Sequence, residues 1–291
     1  MFSSRSQQTL RNICHVSGRG YWSGAAISLT FLPAAPSTGI VFRRIDLPGS
    51  PTIAVNTSNR RETPLRTRLV QGDAAVDMVE HVLAALYAFQ IDNCLIETTG
   101  CEMPGLDGSA FAFSCALRQA GIVIQDSPRV THTITRSIRI GDDRQWIMAT
   151  PSTTPGLTLE YRLDYGPNSS IRNSTFAAEI DSHTFHHQIA CARTFITKAE
   201  AEQLQSQGLA KHVTNRDLLV FADNGPIDNS LRFSDECARH KLLDLIGDLS
   251  LTGIDLSGRV VACRSGHKLN GRMADELIQY SMAADKIKEA A

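Results

Sequence analysis

Apolar residues recur at helical spacing in two stretches of this chain and at strand spacing in several others. From about Ala74 to Phe89, the residues Val76, Val79, Leu83, Leu86 and Phe89 fall on one face at 3.6 residues per turn, which predicts a helix. A second helix follows Ser234 as a cap, with Asp235 and Glu236 in its first turn and Gly253 just beyond its end; Leu242, Leu243, Leu245, Ile246 and Leu249 make it largely apolar. Shorter patterns fill the rest. The first 70 residues read as strands and turns, including Gly39-Ile-Val-Phe-Arg-Arg44. Gly18, Gly20 and Gly24 lack dinucleotide-binding spacing and predict a hairpin turn. A strand over Cys94 to Thr98 and a helix from about Ser109 to Ala120 complete a first α+β half. Gly121 to Val130 reads as a link, and strands at Thr131 to Ile140 and Trp146 to Thr150 begin the pattern again. Helical segments at His183 to Ala192 and Glu200 to Gln207 follow, and the Ser234 helix comes last. Strands then helices, twice, predict an α+β protein of two domains, 1–126 and 127–291, with a site between them.

The chemistry sits on the two apolar helices. In Arg239-His-Lys-Leu-Leu-Asp-Leu-Ile-Gly-Asp248, His240 and Asp244 lie four apart and so above one another, close enough to grip a single ion. His81 is available as a third ligand, with Glu80 beside it as a base. Three protein ligands leave one position open for water, as in catalytic zinc sites. Asp248 lies about 12 Å along the helix from His240, too far to join them. Taken alone, the spacing also fits a core histidine at 81 and an i, i+4 pair at 240 and 244 on a solvated face. Acids beside so much apolar surface are costly without partners, which favours the ion. A rival cluster, His183, His186 and His187, lies among Ser182, Thr184 and Gln188 with no acid, and reads as a surface helix.

Composition narrows the partners. The chain has 291 residues, 29 basic and 30 acidic, for a formal charge of -1 with no basic stripe, which argues against nucleic acid and for a small molecule. Apolar stretches such as Ala25 to Phe31 are far short of the roughly 20 residues of a spanning helix, and Met1 to Gln8 has no apolar core, so a soluble cytoplasmic protein is expected. Seven cysteines, an odd number with no Cys-x-x-Cys pair, suit neither a disulfide framework nor a thiolate zinc cluster.

Several segments resemble the UDP-3-O-acyl-N-acetylglucosamine deacetylases, zinc enzymes of lipid A synthesis. The resemblance runs from about Gln8 to Asn270. It is carried by Val79-Glu-His-Val-Leu-Ala-Ala-Leu86, Ile91-Asp-Asn93, Leu106-Asp-Gly-Ser-Ala110, Ala192-Arg-Thr-Phe195, Leu204-Gln-Ser-Gln-Gly-Leu209, Leu231-Arg-Phe233, the 239–248 run and Ser265-Gly-His-Lys-Leu-Asn270. It implies that His81, His240 and Asp244 bind zinc, or iron(II) in the cell, and that Glu80 is the general base. It implies that His267, oriented by Asp248, protonates the leaving amine. Thr194 would hold the acetyl oxygen, Phe195 would pack on the sugar, and Lys241 would meet the diphosphate of a UDP-linked substrate. The fold it implies is two similar α+β domains with the site at their junction.

The chain departs from that family around the acyl passage. Trp22 replaces a usual His, Met78 a usual Thr, Arg66 a small residue, Thr197 a Phe, and Lys211-His212-Val213 a Leu-Gly-Gly stretch. In Leu65-Arg-Thr-Arg68, strand-like alternation puts Arg66 and Arg68 on one side, and Lys211 would add a third cation to the wall. A wall of unpaired cations would disfavour a long alkyl chain. The alternative reading is therefore a deacetylase of a short-acyl or unacylated nucleotide sugar, or a non-catalytic relative that binds one.

Overall fold

The computed structural model describes residues 4–289, with side chains described to residue 282. Two mixed sheets share one strand order. In the first, Cys14–Arg19, Ala26–Pro33, Cys94–Thr98, Ile40–Arg44 and Thr52–Ala54 lie side by side, all neighbours antiparallel except the parallel pair of Ile40–Arg44 with Cys94–Thr98. In the second, Ile138–Gly141, Trp146–Thr150, Asp255–Cys263, Leu157–Leu163 and Ser174–Glu179 repeat that order, again with one parallel pair, Leu157–Leu163 with Asp255–Cys263. A parallel pair needs a crossover, and in each sheet the crossover contains a helix. They are α1 (Glu80–Ala88) in the first half and, in the second, a longer excursion that ends in the helix Glu236–Ser250.

The helices in chain order are α1, α2 (Phe111–Ala120), α3 (Ser182–Thr184), α4 (Lys198–Ser206), α5 (Glu236–Ser250) and α6 (His267–Glu289). Both α1 and α5 are buried over most of their length, including Val82 to Leu86 and Leu242 to Leu249. Each fully buried Leu contributes roughly 1.5–3 kcal/mol from leaving water. Among the described residues, no helix is long and apolar enough to cross a membrane.

The structure corrects several expectations. The stretch 74–89 is a strand, Ala74–Asp77, paired with Arg68–Gln71, and only then a helix. Met78, at φ 62, adopts a left-handed turn between them, and the alternation of Ala74 and Val76 served the strand. The supposed link is itself a strand, Ile122–Thr133, antiparallel to Ser4–Leu10 at one end and parallel to Asp255–Cys263 at the other. The strand over 131–140 is two pieces, Ile122–Thr133 and Ile138–Gly141. The Gly20 to Ala25 turn does close a hairpin, with Gly20 N–H donating to Ala25 O. α4 starts at Lys198 because Thr197 and Glu200 form a capping box. α5 starts at Glu236 after Asp235, with no side-chain cap from Ser234. It is not the last helix: α6 follows, and Leu269, Met273, Ala274 and Leu277 are its buried face. That spacing is legible in the sequence as an apolar stripe at helical intervals.

Candidate metal centre and active site

The start of α1 and the middle of α5 meet at Gly247. A Cβ there would stand 2.1 Å from the Glu80 carbonyl oxygen, so a glycine lets the two helices approach. The approach brings His81 to the pair on α5. His81 Nε2 lies 3.6 Å and His240 Nε2 3.4 Å from Asp244 Oδ1, and the three ligand atoms lie within 4.8 Å of one another. Ligands at tetrahedral angles around zinc, at bond lengths of about 2.0–2.1 Å, are about 3.4 Å apart.

The donor set is prepared for a cation. His240 Nδ1 lies 3.0 Å from Ala192 O, so that nitrogen carries the proton and Nε2 keeps a free lone pair. Burial pushes the His240 pKa down to about 3, with Asp244 opposing, so the ring is neutral. Asp244 Oδ2 accepts from Lys241 Nζ at 2.6 Å, which leaves Oδ1 for the ion. Burial alone would raise the Asp244 carboxyl, but the charge of Lys241 beside it holds it well below the usual range. Two imidazoles and an ionised carboxylate fit a divalent metal, and the residues present therefore match the group. Ala192 is itself anchored, since Arg193 donates to Glu236 on α5 from Nε at 2.8 Å and from its backbone N–H at 3.1 Å.

Glu80 and His267 face each other beside these ligands, with His267 Nε2 4.0 Å from Glu80 Oε1. Burial raises the Glu80 pKa, against His267 and His81. His267 is the first residue of α6, where the helix dipole disfavours a cation. Its Nδ1–H donates to Asp248 Oδ2 at 2.9 Å, and Asn270 Nδ2 donates to the same oxygen at 2.8 Å. Burial works to lower the His267 pKa; the charge and hydrogen bond of Asp248, with Glu80, outweigh it and push it up to about 9. Asp248 thus hydrogen-bonds His267 and lies outside the three-residue metal-competent group.

Glu80, His81, His240, Asp244 and His267 open onto one cavity of about 750 Å³, which Thr194, Phe195 and Lys241 also line. The Phe195 ring lies 6.1 Å from that of His240 and 5.8 Å from that of Tyr165. Lys241, Tyr165, Arg264 and Ser265 are shared with an adjoining cavity of about 530 Å³. Part of the larger cavity's lining is apolar: Trp22, Leu65, Met78, Leu204, Ala210 and Val213 contribute to it.

The expected wall of cations is not there. Arg66 and Arg68 do reach one side together, but each is paired with Asp77, both at 3.3 Å, and the Arg66 guanidinium lies over the Trp22 ring, 4.7 Å from its centroid. Trp22 lines the cavity, while Arg66 and Lys211 are not among its lining residues. Thr197 is occupied as the α4 cap, and His212 docks on the hairpin turn with Nε2 2.7 Å from Gly20 O. The rival histidines stay apart from the site. His183 and His187 are exposed, their rings 4.6 Å apart, and His186 meets Ser114 Oγ at 2.8 Å. The only three-residue metal-competent group among the described residues is His81, His240 and Asp244.

Sequence reasoning missed Thr67, Asn270, Tyr165 and Ser265. Thr67 was read only as the middle of an alternating run, yet it is 2% exposed and its backbone N–H donates to Glu80 Oε2 at 3.0 Å. Ser265 and Asn270 lie in a recognised motif whose individual residues were not weighed.

Residues 7–279 match the family described as LpxC, UDP-3-O-acyl N-acetylglycosamine deacetylase. A UDP-3-O-acyl-N-acetylglucosamine deacetylase of Citrifermentans bemidjiense is 38% identical over 274 residues, covering 94% of this chain and 89% of the relative. Another, from Brucella ovis, is 35% identical over 284 residues, covering 97% of this chain and 98% of the relative. A third, from Geotalea uraniireducens, is 37% identical over 277 residues, covering 94% and 89%. With matches spanning both repeated sheets and every residue of the metal-competent cluster, the chain belongs to the UDP-3-O-acyl N-acetylglycosamine deacetylase family.

Proposed function

We propose that the protein is a cytoplasmic, zinc-dependent enzyme of lipid A biosynthesis that hydrolyses the N-acetyl group of a UDP-linked, acylated N-acetylglucosamine. The observation that carries this reading is the meeting, in one partly apolar cavity, of a His/His/Asp ligand set, a buried carboxylate and an imidazolium. A metal held by His81, His240 and Asp244 would supply Lewis acidity and a water acidified from pKa 15.7 toward about 7.

The chain's own groups do the rest. Glu80, its Oε2 held by the Thr67 N–H, keeps Oε1 free to take a proton from the attacking water. The Thr194 hydroxyl donates to the acetyl oxygen as negative charge develops there. As the C–N bond breaks, His267 Nε2 gives its proton to the amine nitrogen, and Asp248 stabilises the imidazolium until then. The products are acetate and a free amine. Lys241, with Arg264 and Ser265 at the boundary of the two cavities, binds the diphosphate, and Phe195 with Tyr165 packs on the sugar. The alkyl chain lies against the apolar lining of Trp22, Leu65, Met78, Leu204, Ala210 and Val213. The proposed site draws on both sides of a division near residues 126 and 127. Incubation of metal-replete protein with UDP-3-O-acyl-N-acetylglucosamine, read by acetate or amine release, tests the reading. Release at no acyl length would refute it.

A further inference from the structure

The geometry points to Thr67 as a positioning residue that locks the base and the acid to one another, an inference that rests on the deacetylase reading above. Thr67 is buried just before the strand Arg68–Gln71. Its carbonyl accepts from Met78 N–H at 2.9 Å and Val79 N–H at 3.4 Å, which fixes it against the residues that enter α1. From there it acts in two directions. Its N–H donates to Glu80 Oε2, so only Oε1 is left for proton transfer. Its hydroxyl donates to Asp248 Oδ1 and lies 3.3 Å from His267 Nδ1. His267 and Asn270 both donate to the other oxygen of Asp248, so the Thr67 hydroxyl fixes the rotation of that carboxylate and with it the direction of the His267 ring. Thr67 touches no reacting atom. It acts through Asp248 and Glu80.

The test compares Thr67→Val, Thr67→Ala and Thr67→Ser with the unmodified holoenzyme for kcat, KM and bound metal. Loss of the hydroxyl in the Val and Ala variants is expected to lower kcat about 10- to 100-fold at unchanged KM and metal content, and Ser to restore most of it. In a His267→Ala background, Thr67→Val is expected to cost almost nothing more, because its route of action is already gone. The inference is overturned if Thr67→Val keeps kcat within about twofold. It is overturned equally if the two losses multiply in the double variant, or if Val and Ala both lose the metal, which would make Thr67 a general support of the fold. Inactivity of the unmodified protein refutes the deacetylase reading as well, whereas an active protein indifferent to Thr67→Val refutes this inference alone.

Discussion

At the His267 imidazole, the direction of the pH effect follows from its neighbours. In the proposed mechanism turnover needs Glu80 ionised and His267 protonated, so the rate is expected to rise as pH passes the raised pKa of Glu80 and to fall as it passes that of His267, pushed up to about 9. Asp248 supplies the largest upward influence on His267. Asp248→Asn is therefore expected to move the falling limb to lower pH, measured as a kcat profile. A limb that stays in place would mean that another group sets it. Glu80→Gln is expected to cost about 10² to 10⁴ in rate while the metal content holds, since it removes a base and not a ligand. His240→Ala and Asp244→Ala should instead lose most of the metal, and His183→Ala none, by elemental analysis of the purified variants. This metal-competent group was legible because two of its members sit four apart on a helix. Thr67 was not, since its hydroxyl meets Asp248 across 181 residues of sequence and no local spacing encodes such a contact.

Among the elements, the seam between α1 and α5 is the most exacting. Gly247→Ala must push its methyl into the Glu80 carbonyl, so the helices have to part. Overpacking of this kind costs about 1–3 kcal/mol. The expected result is a lower Tm together with weaker metal binding, because His81 retreats from Asp244 with the backbone of α1. A variant that loses neither would show that the seam has slack. The element boundaries read from sequence failed where one residue changed the backbone's hand: Met78, at φ 62, ends a strand that shares its apolar residues with a helix pattern. The Arg66 reading failed for a different reason. Residues 64–66 form a turn, with Leu65 at φ 63, so strand alternation does not place Arg66; it meets Arg68 because both pair with Asp77 on the strand beside Arg68–Gln71, away from the cavity. Removing Arg66 is accordingly expected to loosen Trp22 and lower Tm slightly, with little change in the preference for chain length.

For the whole molecule, the apolar part of the cavity lining predicts that kcat/KM climbs with the acyl chain of the substrate, by up to about fourfold for each methylene buried, from roughly 0.8 kcal/mol per CH₂. A flat series would show that this lining holds something else. The doubled rhythm of strands and helices was visible in the sequence, whereas the strand Ile122–Thr133 that ties the parts together was not, because its burial is only partial along its length and it lacks a clean apolar alternation. Topology makes the doubling explicit. The five-strand order recurs, and α1 and α5 occupy corresponding crossovers within it. Two identical units joined by a two-fold axis could offer only matched side chains across that axis. Here one helix brings a base and one imidazole, and its counterpart brings an imidazole, a carboxylate and the partner of the acid. An ion with unlike neighbours on its two sides, and a reaction that takes a proton at one place and returns it at another, require that symmetry to be broken, and a single continuous chain allows each copy to change without the other.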